Sequence, residues 1–140
     1  MRAFVTGSTG LLGNNLVRSL LQAGHEVLAL ARSKDKARRE LGDTTARIII
    51  GDVRNLADFA YDLKGVDVLF HTAAYFREYY NPGDHSNAVE LTNVTGTMDL
   101  AQPAHAIGVE KMIFTSSAGI IGMQPDGTPG DEQTPPGRSP

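Results

Sequence analysis

Thr6-Gly7-Ser8-Thr9-Gly10-Leu11-Leu12-Gly13 joins two segments of different periodicity, and its reading decides the fold. Before it, Arg2-Ala3-Phe4-Val5-Thr6 is a short apolar run halted by glycine, the pattern of a buried strand. After it, Leu11, Leu12, Leu16, Leu20 and Leu21 recur at helical spacing up to Gly24, a helix stop. In a strand–turn–helix, these glycines have separate tasks. Gly7 permits the tight turn, Gly10 lets backbone approach a phosphate with no Cβ in the way, and Gly13 lets the helix pack close to the sheet. The helix start then offers unpaired N–H groups and its positive dipole end to a pyrophosphate. A glycine triplet alone is a weak signal; the strand–turn–helix around it is what points to a dinucleotide.

The same alternation continues outward. Glu26 to Ala31 reads as a second strand, and Ser33 caps a charged helix through Leu41 with Asp35 in its first turn. Arg47 to Ile50 is a third strand, Leu56 to Leu63 a short helix, and Val66 to Thr72 a fourth strand. A long helix from about Ser86 to Ile107 precedes a fifth strand, Lys111 to Thr115. Strands apolar on both faces and separated by helices imply a parallel sheet covered on both sides. Right-handed crossovers then predict an α/β, Rossmann-type doubly wound sheet of five strands in order 3-2-1-4-5. Pro103 conflicts with the long helix and predicts a kink or a break there, at a cost of about 3 kcal/mol if it stays. Residues 124–140 hold five of the seven prolines and read as a loop, so the dinucleotide-binding domain is placed at 1–123.

Composition removes several function classes. The 140 residues carry a net charge of -3 with both signs mixed, so neither nucleic acid nor an anionic membrane is favoured as a partner. There is no cysteine, which excludes disulfides and thiolate chemistry. His25, His85 and His105 lack metal-ligand spacing, and no metal site is expected. No apolar run approaches the ~18 residues of a membrane span. Met1 opens directly into a strand, so a cytoplasmic protein without a signal peptide is the expectation.

Five ordered motifs now carry a resemblance. Thr6-Gly-x-x-Gly-x-x-Gly13 is similar to the opening of the extended short-chain dehydrogenase/reductase family, of the epimerase/dehydratase type. Gly51-Asp52-Val53 looks like its adenine-contacting Asp and following hydrophobe. His71-Thr72-Ala73-Ala74 resembles the segment that passes the cofactor ribose and nicotinamide. Asn93-Val94-Thr95-Gly96-Thr97 matches the Asn-x-x-Gly-Thr of helix four, and Phe114-Thr115-Ser116-Ser117-Ala118 the strand end that carries the catalytic serine. The likeness spans residues 1 to about 122, and the segments around Arg32 and Ser117 look closest to dihydroflavonol-reductase-like members and related sugar-epimerase-like ones.

The resemblance implies a nicotinamide cofactor on Gly7, Ser8, Thr9, Gly10, Leu11, Leu12, Gly13, Arg32, Asp52, Val53, Thr72, Ala73, Ala74, Asn93 and Thr115. An NAD site usually ends strand two with an acid; here Ala31-Arg32-Ser33-Lys34 stands instead, and Arg32 suits a 2′-phosphate. NADP is therefore expected, with NAD as the alternative. Ser117 takes the position of the serine that orients the reacting oxygen, with Ser116 as its fallback. The family's tyrosine and its lysine four residues later are not in this chain: Tyr61, Tyr75, Tyr79 and Tyr80 are followed at that spacing by Gly65, Tyr79, Gly83 and Asp84. The chain thus reads as the N-terminal part of an enzyme, inactive as it stands. That enzyme is expected to move a hydride between NADP and a carbonyl or alcohol on a small or sugar-like substrate. Its rivals are an epimerase/dehydratase of the same family and a non-catalytic NADP-binding regulatory module. A homodimer stays open for the full-length form. The aromatic run Tyr75-Phe76-Arg77-Glu78-Tyr79-Tyr80 is read equally as a substrate wall and as a packing plug, and His71 as a packing residue.

Overall fold

A computed structural model describes residues 1–76, 82–124 and 126–135. Its strands are β1 (Arg2–Thr6), β2 (Glu26–Ala31), β3 (Arg47–Ile50), β4 (Val68–His71) and β5 (Lys111–Phe114). They form one sheet in the order β3-β2-β1-β4-β5, with every neighbouring pair parallel, as the alternation of strands and helices predicts.

Strand pleating divides the core in two. Ala3 and Val5 of β1, with Val27 and Ala29 of β2, face Val17 and Leu20 of α1 (Leu11–Gln22) and Leu41 of α2 (Lys34–Leu41). Phe4, Leu28, Leu30 and Leu69 face the other way, onto Phe59, Leu63, Leu100 and Ala104. Both faces of the sheet are therefore dry, which is what apolar residues at consecutive strand positions require.

The helical segments depart from the sequence reading in four places. Leu56 to Leu63 is two 3₁₀ turns, Leu56–Asp58 and Ala60–Leu63, rather than one helix. Phe59 breaks it at φ -142° because its ring is drawn into the core, 5.6 Å from Phe4. The long helical stretch comprises α3 (Ser86–Val89), a π-helical turn (Glu90–Thr95) and α4 (Gly96–Ile107). The break expected at Pro103 is not there. Leu100 and Ala104 are buried on either side of it, and exposed Asp99, whose carbonyl loses its donor, can turn to water. Finally, Leu11 and Leu12 are exposed; the buried stripe of α1 is Gly13, Val17 and Leu20 at i, i+4, i+7. At the far edge of the sheet, β5 leaves Ile113 and Phe114 about half exposed. Among the described residues no helix is long and apolar enough to cross a membrane.

Candidate functional site

Parallel strands end together, and the loops leaving them enclose a cleft of about 230 Å³. Gly7, Thr9 and Gly10 line it after β1; Leu30, Ala31 and Arg32 at the end of β2, with Lys36 of α2; Gly51, Asp52 and Val53 after β3. Thr72, Ala73, Ala74 and Tyr75 after β4 close it, with Thr92 of the π-turn. Nine of the residues singled out from sequence meet here: Gly7, Thr9, Gly10, Arg32, Asp52, Val53, Thr72, Ala73 and Ala74.

The glycines of the turn are not equivalent. Gly7 sits at φ +65°, and a Cβ there would lie 2.7 Å from the Ala73 nitrogen. A Cβ on Gly13 would lie 2.2 Å from the Gly7 carbonyl oxygen and 2.9 Å from the Ser8 Cα, with backbone on both sides. Gly10 is different. It is the N-cap of α1 at φ -87°, open to any residue, and its Cβ would meet only the Gly7 oxygen at 3.2 Å. The fold needs glycine at positions 7 and 13 and hardly needs it at 10, which lines the cleft. No side chain caps α1, and the first-turn N–H groups of Leu11, Leu12 and Gly13 have no intrahelical partner, so these residues can meet an anion through main chain. The Ser8 side chain cannot. It is fully buried, and its hydroxyl donates to the Leu30 carbonyl at 2.7 Å, turned away from the cleft and stitching the turn to β2.

At the end of β2, the Arg32 guanidinium and the Lys36 ammonium make no hydrogen bond or ion pair among the described residues, although both line the cleft. Ser33 caps α2, its Oγ accepting from the Lys36 N–H at 3.2 Å, which leaves its own proton to donate. Across the cleft, Arg54 grips the Asp52 carboxylate and holds it below the usual carboxylate range, with a smaller contribution from the Arg32 charge.

Behind the cleft runs a continuous hydrogen-bonded chain. The Thr97 hydroxyl donates to the Asn93 carbonyl at 2.8 Å, so it accepts from His71 Nε2 at 2.9 Å. His71 Nδ1 is then the acceptor for the Thr6 hydroxyl at 2.7 Å, and Thr6 Oγ1 accepts from the Ala73 N–H at 3.2 Å. His71 is wholly buried and neutral, its pKa pushed down to about 4 by burial. Asn93 does not line the cleft; its side chain grips both backbone groups of Tyr75, at 2.7 and 3.1 Å. The Tyr75 hydroxyl meets His85 Nδ1 at 2.7 Å. Geometry also brings Lys36 and Tyr75 to the cleft: Lys36 was legible from its place in the first turn of α2, whereas Tyr75, read from sequence only within the aromatic run, is placed by a partner 18 residues away.

Thr115 and Ser117 lie outside this cleft. Both are exposed after β5, where the Thr115 N–H donates to the His71 carbonyl and Ser117 opens a 3₁₀ turn, Ala118–Ile120. Arg77, Tyr79 and Tyr80 of the aromatic run fall outside the described residues.

Known proteins resemble this chain in sequence and fold. The model of the NAD dependent epimerase/dehydratase family matches residues 3–140. The chain is 36% identical over 129 residues to a putative dihydroflavonol 4-reductase of Synechocystis, covering 92% of this chain and 36% of that protein. It thus spans little more than a third of that relative's length. The crystal structure of gox2253 superimposes with a TM-score of 0.83 at 37% identity, over 95% of this chain and 39% of the other. A UDP-glucose 4-epimerase of Thermus thermophilus, solved with NAD, does so with a TM-score of 0.80 at 27% identity, over 97% and 44%. With sheet order, glycine turn and family match in agreement, this chain belongs to the NAD-dependent epimerase/dehydratase family, the extended branch of the short-chain dehydrogenases/reductases.

Proposed function

We propose that the cleft holds NADP, and that this chain is the NADP-binding portion of an oxidoreductase that transfers a hydride between this cofactor and a carbonyl or alcohol carbon of a small or sugar-like substrate. The end of β2 carries the choice of cofactor. Arg32 and Lys36 line the cleft with no hydrogen bond or ion pair to their charged groups among the described residues, and no acid stands among residues 31–34. Ribose hydroxyls at this place call for an acceptor; a 2′-phosphate calls for the guanidinium fork, the Ser33 hydroxyl and the Lys36 point charge found here. An epimerase or dehydratase reading would put NAD at this position, and these cations weigh against it.

The rest of the cleft fits the same molecule. Gly10 and the open N–H groups of α1 suit the pyrophosphate, Asp52 and Val53 the adenine, and Thr72, Ala73 and Ala74 the nicotinamide ribose. Asn93 acts behind the cleft by holding the Tyr75 backbone, and Thr115 borders the end of β5. When bound, the nicotinamide is the hydride donor or acceptor. Ser117 is assigned to hydrogen-bond the reacting oxygen and fix its orientation.

Isothermal titration of the chain and its Arg32→Ala variant with NADP+ and NAD+ tests the assignment. A hydrogen-bonded charge on phosphate predicts a loss of about 10- to 100-fold in NADP+ affinity, with NAD+ within about twofold of wild type. Equal losses for both dinucleotides overturn the 2′-phosphate assignment.

A further inference from the structure

Asp52 lines the cleft with its carboxylate already gripped from one side. Oδ1 accepts from the Arg54 backbone N–H at 2.9 Å and from Arg54 Nε at 3.0 Å, and Oδ2 accepts from Arg54 Nη2 at 2.7 Å. Three of the roughly four lone-pair positions of a carboxylate are therefore occupied. The turn beneath is fastened too: the Asp52 N–H donates to Asp58 Oδ2 at 3.2 Å, the Asn55 N–H to the Asp52 carbonyl at 2.9 Å, and Asn55 Nδ2 to Asp58 Oδ1 at 2.7 Å.

We infer that Arg54 is a positioning residue for base recognition, fixing Asp52 so that a single remaining acceptor on Oδ2 selects a 6-amino purine over a 6-oxo purine. The inference rests on the reading above that the adenine lies against Asp52. An unrestrained carboxylate can swing to accept from the N1–H of a 6-oxo purine as readily as from a 6-amino group. Held by the fork, it cannot turn. An amino hydrogen meets the remaining lone pair, whereas a 6-oxo group sets oxygen against oxygen. A lysine in place of Arg54 keeps the charge but loses the planar fork, and so loses the hold on direction.

The test is a ratio of affinities: NADP+ against nicotinamide hypoxanthine dinucleotide phosphate, and NAD+ against its hypoxanthine counterpart, by titration calorimetry on the whole chain. Wild type is expected to favour the 6-amino form by about 10-fold or more, the effect of one hydrogen bond to a charged group. Arg54→Lys should bind NADP+ within a few-fold of wild type while its ratio falls toward one. Asp52→Asn should also lose the ratio. Because each ratio is taken within one variant, a general loss of folded protein cancels. A wild-type ratio in Arg54→Lys overturns the positioning role while the adenine reading stands. An unchanged ratio in Asp52→Asn, or a wild-type ratio near one, overturns the adenine reading and the inference with it.

Discussion

Replacing Gly10 and Gly13 by alanine, one at a time, should separate what the ligand needs from what the fold needs. At Gly13 the new Cβ falls 2.2 Å from the Gly7 oxygen, so α1 and the turn must part by more than an ångström to reach ordinary contact. Both sides are backbone, and overpacking of this kind costs on the order of 3 kcal/mol. In a domain of this size that lowers the melting temperature by roughly 10 °C. At Gly10 the contact is 3.2 Å and φ is -87°, so the neighbour gives a few tenths of an ångström. An alanine N-cap adds about 1 kcal/mol, or roughly 3 °C. Binding should reverse the order. A methyl at position 10 keeps the pyrophosphate off the main chain. Losing two charge-assisted bonds, about 3 kcal/mol, means a loss of more than 100-fold in Kd. Circular dichroism melts and calorimetric titration with NADP+ at 15 °C, where both variants remain folded, measure the two effects. A Gly10→Ala chain that binds NADP+ like wild type, or a Gly13→Ala chain that melts like it, refutes the division.

Two further outcomes follow from the buried polar groups. His71 has a folded pKa of about 4 against an ordinary 6.5, so the unfolded chain takes up its proton first. The stability this contributes is complete above pH 6.5 and is lost as pH falls toward 4, by about 2 kcal/mol at pH 5. Urea unfolding at pH 7.5 and pH 5 should show this loss in wild type and not in His71→Gln; parallel losses would remove His71 as its source. Ser8→Ala deprives the buried Leu30 carbonyl of its donor, and should cost about 1–2 kcal/mol in unfolding while leaving NADP+ affinity within about twofold. A drop in affinity instead would put the Ser8 hydroxyl back in the cleft.

What could be read from the sequence divides along a physical line. The doubly covered sheet followed from residues whose neighbours in the chain decide their state: Phe4, Val5, Leu28 and Ala29 are apolar at consecutive positions, and only a sheet covered on both faces buries them all. Features set by distant partners were not legible. Phe59 breaks the 56–63 segment because Phe4 draws it inward, and no local signal in Leu56–Leu63 announces that. Asn93 reads as a member of a cofactor motif, yet its amide grips Tyr75, 18 residues away in sequence. Arg54 was within reach of a closer reading, since Asp-x-Arg in a turn is a contact between near neighbours.

The glycine turn shows most clearly where the line falls. Three glycines at equal spacing look alike as letters, and only the atoms around each distinguish them. Gly7 is hemmed in by Thr72 and Ala73, and Gly13 by the backbone of Gly7 and Ser8, so their identity says only that the chain folds this way. Gly10 has an ordinary φ and nearly enough room for a methyl, so packing does not explain it. Its glycine is best understood through something that approaches from the cleft. That makes Gly10, rather than the triplet as a whole, the residue from which a function can be argued.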